Sequence, residues 1–146
     1  MATTPYDGHG VRFEYPENWD CEVTEEGSVT TVAIHSTDGP AFALVTLDKS
    51  LPDPDEVVGQ AVEVMREEYP SLETTPAADS LAGHSAAGVD VEFFSLDVAN
   101  SCAIRCVSTD RRTILVFGQW SDVEGEEPSD VVAAVRRSLR ETDADA

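Results

Sequence analysis

Lysine is almost missing from this chain. Lys49 is the only one; the other eight of the nine basic residues are arginines, set against 29 acidic residues and a formal net charge of −20. Long apolar runs are missing too: none approaches the ~18 residues that a membrane-spanning helix needs. The opening Met-Ala-Thr-Thr-Pro-Tyr-Asp-Gly has neither a basic nor an apolar region, so no secretory signal is expected and the expected location is cytoplasmic. Cysteines number three, too few and too odd for a disulfide framework. No internal repeat and no low-complexity linker breaks the 146 residues, a length that suits one domain.

What is present is a globular composition, 41% hydrophobic, under a dense negative field. Such a field repels phosphate backbones and anionic lipid, so neither nucleic acid nor a membrane surface is an expected partner. Two explanations of the acidity compete. One is a cytoplasm saturated with salt, where carboxylates hold a hydrated layer and ions screen their repulsion. The other is a basic protein partner. The acids are spread along the whole chain instead of being clustered, which favours the solvent explanation.

Hydrophobic periodicity changes several times between two ends expected to be loose, residues 1–9 and the acidic tail 141–146. Val11, Phe13 and Tyr15 alternate with Arg12 and Glu14 up to Pro16, and Trp19, Cys21 and Val23 continue the alternation. Residues 29–36 and 41–48 are rich in β-formers, with Thr37-Asp38-Gly39-Pro40 as hairpin-turn chemistry between them. Asp53, Pro54 and Glu56 then form a helix start that resembles a capping box. Val58, Ala61, Val62, Met65 and Tyr69 make one helical face, and Pro70 ends it. Residues 74–80 read as a weak strand, Leu81 to His84 as a turn, Val89 to Leu96 as a strand and Asn100-Ser101 as the next turn. Cys102, Ile104 and Cys106 share one strand face, with Ala103, Arg105 and Val107 on the other. Residues 113–120 are nearly continuously apolar, as expected of a central strand. Pro128 opens a second helix striped by Val131, Val132, Val135 and Leu139, with Arg136, Arg137 and Arg140 towards its end. The expected fold class is α+β: an antiparallel sheet of six to seven strands carrying two main helices, in the order β-β-β-α-β-β-β-β-α, within a single domain over residues 10–140.

Four local features fall in the same order as in a known fold. Val11-Arg-Phe-Glu-Tyr-Pro-Glu-Asn-Trp19 is similar to its opening strand, Pro turn and Trp entry; the helix at 54–69 follows the first meander. Leu81-Ala-Gly-His-Ser-Ala86 leads into a second meander, and Arg137-Ser-Leu139 lies in a terminal helix. Over about residues 10–140 the chain resembles the PsbP-like fold family, which includes the photosystem II extrinsic protein and the Ran-binding Mog protein. The resemblance implies a binding or assembly module and supplies no shared catalytic set.

The residues themselves offer little chemistry. No nucleophile elbow, phosphate loop or dinucleotide fingerprint is present. On a strand, Cys102 and Cys106 stand about 13 Å apart, too far to share a disulfide or a metal. His9, His35 and His84 are isolated from other ligand or nucleophile types in sequence; a Cys–His pair such as Cys21 with His35 is geometrically allowed if the first strands are neighbours. The acidic loop Asp122, Glu124, Glu126 and Glu127 lacks the ligand order of a calcium loop and reads as solvated. Arg12 and Arg105 are expected on outward strand faces, paired with carboxylates. No catalytic residue, metal or cofactor is expected. The expected role is to bind a protein partner on the part of the sheet that the helices leave uncovered, where the acids thin out along residues 101–120. The alternative is a small-molecule pocket between sheet and helix walled by Tyr15, Trp19 or Trp120; a cysteine-dependent enzyme on Cys21 and His35 comes third. The sequence leaves the oligomeric state open.

The solvent explanation of the charge predicts that the melting temperature rises as KCl goes from millimolar to molar. A melting series in which it falls instead would sink that explanation.

Overall fold

The computed structural model describes residues 2–142. It has eleven strands and two α-helices, more strands than the six to seven expected, and the additions are mostly short. The first meander is β2 (Val11–Pro16), β3 (Asp20–Glu26), β4 (Val29–His35) and β5 (Phe42–Asp48), preceded by β1 (Thr3–Gly8). Helix α1 (Pro54–Glu68) follows, its Asp53 carboxylate accepting the Glu56 N–H at 3.2 Å. The second meander is β6 (Glu73–Pro76), β7 (Asp79–Leu81), β8 (His84–Ser95), β9 (Val98–Ser108) and β10 (Thr113–Ser121). A single 3-10 turn leads to α2 (Glu127–Ser138), and β11 (Arg140–Glu141) closes the described chain.

All pairings are antiparallel. The large sheet runs β3-β4-β5-β10-β9-β8-β6, with β7 paired to β8, and a small sheet runs β1-β2-β11. The apolar run at 113–120 is central, between β5 and β9. On one face of the large sheet, Val32, Ile34, Val45, Leu47, Val107, Ile114 and Val116 are all 3% exposed or less. Val11 and Phe13 of the small sheet and Val131 and Val135 of α2 close over them in one cluster. Each such aliphatic side chain contributes about 1.5–3 kcal/mol by leaving water. On the other face α1 lays Met65 against Val91, Phe93, Cys102 and Ile104, and Tyr69 stacks on Phe93 at 4.2 Å.

Three expectations are corrected. Within residues 1–9, expected to be loose, Thr3–Gly8 form β1, which pairs with β2 over six residues, and Tyr6 stacks on Phe13 at 5.2 Å. Thr4, Tyr6 and Gly8 are half-buried while Thr3, Pro5 and Asp7 face solvent, an alternation that Pro5 does not prevent because an edge strand tolerates proline. At the other end, part of the tail at 141–146 is built in. Glu141 accepts from the buried Arg112, and the Thr142 N–H donates to the Gly10 carbonyl at 2.9 Å. The rest of that tail, 143–146, lies outside the described residues. The turn expected at Asn100-Ser101 is strand; the chain reverses at Leu96-Asp97 instead, with φ of 53° and 64°. Two left-handed residues suit the twist of a tight hairpin, but leucine adopts that region at a cost, so no turn signal stands there in the sequence.

Helix α2 seats on the sheet through a missing side chain. A Cβ at Gly118 would stand 2.3 Å from Cγ1 of Val132, so glycine is what lets β10 and α2 touch. Gly118→Ala is expected to destabilise the fold by about 1–3 kcal/mol through overpacking. A urea midpoint unchanged by that substitution would contradict the account.

Candidate functional site

The two faces of the large sheet are covered unequally. The small sheet and α2 share one face, whereas on the other α1 packs on β8, β9 and the near side of β10. Cross-strand register places Ala33 opposite Leu44, His35 opposite Phe42 and Leu44 opposite Phe117, all on the side of α1 but on the half that it leaves open. There Phe42 stacks on Phe117 with ring centroids 6.1 Å apart and planes 18° apart, and His35 lies 6.3 Å from Phe42. Ala33, Phe42, Leu44 and Phe117 are half-buried by one another. The acids stand at the rim: Asp20 and Glu22 on β3, and Asp48 at the end of β5, held below the usual carboxylate range, against the pull of burial, by hydrogen bonds from Ser50 and Ser28. Phe42 and Leu44 went unremarked in the sequence because Ala43, Val45 and Leu47 account for a core strand. The signal was there, in a strand apolar on both of its faces.

The aromatic residues singled out from the sequence sit around α2 and not together. Trp19 is 7% exposed and closes the edge of the larger core cluster, its backbone N–H donating to the Pro16 carbonyl at 3.0 Å. Tyr15 is half-buried and hydrogen-bonded to Cys21, with its hydroxyl pKa raised by burial and by the neighbouring thiol. Trp120, also half-buried, shares a depression with Arg105, Val132 and Arg136 on the opposite side of the helix. Three separate depressions therefore take one aromatic residue each.

Arg105 is not on an outward face as expected; it is 4% exposed. Its Nε donates to Asp79 at 2.9 Å and its Nη1 to Asp90 at 2.9 Å, with the Val89 and Ile104 carbonyls accepting as well. Arg136 of α2 reaches Asp79 at 3.6 Å. A Cβ at Gly88 would lie 2.6 Å from Cδ of Arg105, so glycine opens the path for the arginine stem across β8. These four charged groups tie β7, β8, β9 and α2 together, and buried charge of this kind persists only when paired. Arg12, in contrast, is the half-exposed surface pair expected, 3.2 Å from Asp7.

Among the described residues no cysteine–histidine pair is built, and His9, expected to be isolated, instead lies 2.6 Å from the Tyr6 hydroxyl and 2.7 Å from the Glu25 carboxylate at the surface. Cys21 stands opposite Ile34 and shares its core face, while the adjacent His35 points the other way, so the pair does not meet. Burial pushes the Cys102 thiol up to about 12, and burial with the fields of Asp53 and Asp55 does the same to Cys106. A thiol that titrates there is inert at neutral pH. Among the described residues no group of three His, Cys, Asp or Glu side chains converges on a metal position. The Glu124 carboxylate of the acidic loop accepts the Ser121 N–H at 2.9 Å and so closes its own turn.

No family model matches the chain, and no curated protein sequence does. Solved structures do. Cyanobacterial PsbP (CyanoP) from Synechocystis superposes with a TM-score of 0.64 at 12% identity, over 97% of this chain and 93% of that one. The fold is PsbP-like. LpqN of Mycobacterium tuberculosis, described as involved in cell envelope biogenesis, gives 0.58 at 14% identity over 97% and 91% of the two chains. A protein of Bacteroides thetaiotaomicron gives 0.59 at 11% identity, and there the whole of this chain spans about half (51%) of the other. At these identities the likeness is one of PsbP-like architecture.

The Arg105 cluster carries a pH signature. The hydrogen bond from Arg105, helped by the charges of Arg136 and Arg105, lowers the Asp79 pKa in the folded state against the opposing effect of burial. Its contribution is present above the unfolded value of roughly 4 and is lost as pH falls through the lower folded value. Asp79→Asn is therefore expected to lower stability at neutral pH and to converge on the parent in acid. Curves that stay parallel down to about pH 2 would show that the pair adds nothing.

Proposed function

We propose that this protein is a non-catalytic binding module that docks a protein partner on the open half of its large sheet. The observation that carries the proposal is the Phe42–Phe117 stack, flanked by Ala33, Leu44 and His35, in the middle of a strongly acidic surface. Stacked aromatics are the groups that anchor interfaces, because they remove much area from water at little entropic cost. With acids confined to the rim, the matching patch is apolar at its centre and basic at its edge. Phe117 falls within the 101–120 stretch where the acids thin out. The binding and assembly role implied by the PsbP-like resemblance agrees with this reading. A salt-rich cytoplasm belongs to the same proposal, supported by the single lysine, the −20 charge and the three free thiols. No helix among the described residues is long and apolar enough to cross a membrane.

The test uses the tagged chain and its Phe42→Asp/Phe117→Asp variant as baits in native lysate at native salt, with circular dichroism confirming that both fold. The intact chain is expected to retain a stoichiometric partner that the variant loses, with affinity reduced roughly thirtyfold or more. Recovery of the chain alone, or of the same partner by both baits, overturns the proposal.

A further inference from the structure

The seam between the small sheet and α2 holds a groove that neither the core nor the open sheet face uses. Its walls are apolar, Tyr15 and Pro16 on the side of β2 and Val131 and Ala134 on the helix, around a volume of about 420 Å³. Its rim is acidic on both sides: Glu14 stands on β2, and Glu127 and Asp130 stand in the first turn of α2. The two helix residues also complement the positive end of their own helix. Glu14 has no such role. It lies 3.7 Å from Arg12, which is shared with Asp7 at 3.2 Å.

Volume and charge together select an occupant. A cavity of this size lies in the range that encloses a small molecule, well below the extended surface that a folded protein covers. Three carboxylates repel an anion, and a neutral apolar molecule leaves them unused. We propose that the groove binds a small organic cation, an amine with an apolar body. The body displaces water from Tyr15, Pro16, Val131 and Ala134, and the ammonium group sits between Glu14 and the Glu127–Asp130 pair. The site lies on the opposite side of the sheet from the Phe42–Phe117 stack and does not depend on the partner proposed there.

Three probes that share a phenethyl body test it: phenethylammonium, neutral 2-phenylethanol and anionic 3-phenylpropionate. Each is titrated into labelled protein while the amide signals of Tyr15, Val131 and Ala134 are followed. Phenethylammonium is expected to bind about tenfold more tightly than the alcohol, as two or three partly exposed ion pairs would give, with no shift from the anion. Glu14→Gln with Asp130→Asn should bring the cation down to the affinity of the alcohol. Ala134→Trp, which fills the groove from an exposed helix position and keeps every charge, should abolish binding. Equal affinities for the three probes, shifts centred elsewhere, or cation binding that survives Ala134→Trp overturn the proposal. So does binding of a lysine-rich peptide at these amides when phenethylammonium gives none, which would assign the groove to a basic protein.

Discussion

Strand β10 sets the terms for the rest of the molecule, because it is apolar on both faces and needs cover from both. Ile114 and Val116 look towards the small sheet and α2; Leu115 and Phe117 look towards α1. The first demand is met completely, helped by the notch at Gly118 that brings Val132 down to the backbone. The second is met only in part. One helix of 15 residues spans about 22 Å and lies over β8 and β9, so β4 and β5 are left with Phe42 and Leu44 on an uncovered half-face. The candidate site is thus the part of the sheet for which the fold supplies no second layer.

Much of this was legible in the sequence where one force dominates. The helix at 54–68 announces itself by its Asp53 cap, Pro54 and a regular apolar stripe. The strand at 113–121 does so by a run that only a central position explains. Where several forces balance, the pattern misleads. Strand β1 contains a proline and little apolar surface, and it forms because Tyr6 finds Phe13 across the ladder, a contact that local pattern does not reveal. Leu96 turns left-handed because β8 and β9 stay in register up to the Ser95–Val98 pair, so tertiary pairing overrides the preference of leucine. Arg105 looked like an outward charge because alternation tells which face a side chain takes and not whether that face is covered. The open face escaped notice for the converse reason. Phe42 and Leu44 read as ordinary strand residues until the position of α1, packed on β8, β9 and β10, leaves β4 and β5 outside its cover.

Charge and architecture meet at that face. Twenty excess negative charges make most of the surface strongly hydrated, and salt screens their mutual repulsion. An apolar patch within such a surface stands out more than on a neutral protein, since its surroundings discourage non-specific association. The buried Arg105 cluster contributes differently. It ties β7, β8 and β9 to α2 at the far end of the sheet from β4 and β5.

The most direct measurement places a photoreactive phenylalanine analogue, one position at a time, in the native cell. Phe42 and Leu44 report the open face, and Val64, 68% exposed on the outer side of α1, is the control. The account predicts one discrete cross-linked species at Phe42 and Leu44 and none at Val64. Cross-links at Val64 with none at the sheet positions would contradict it.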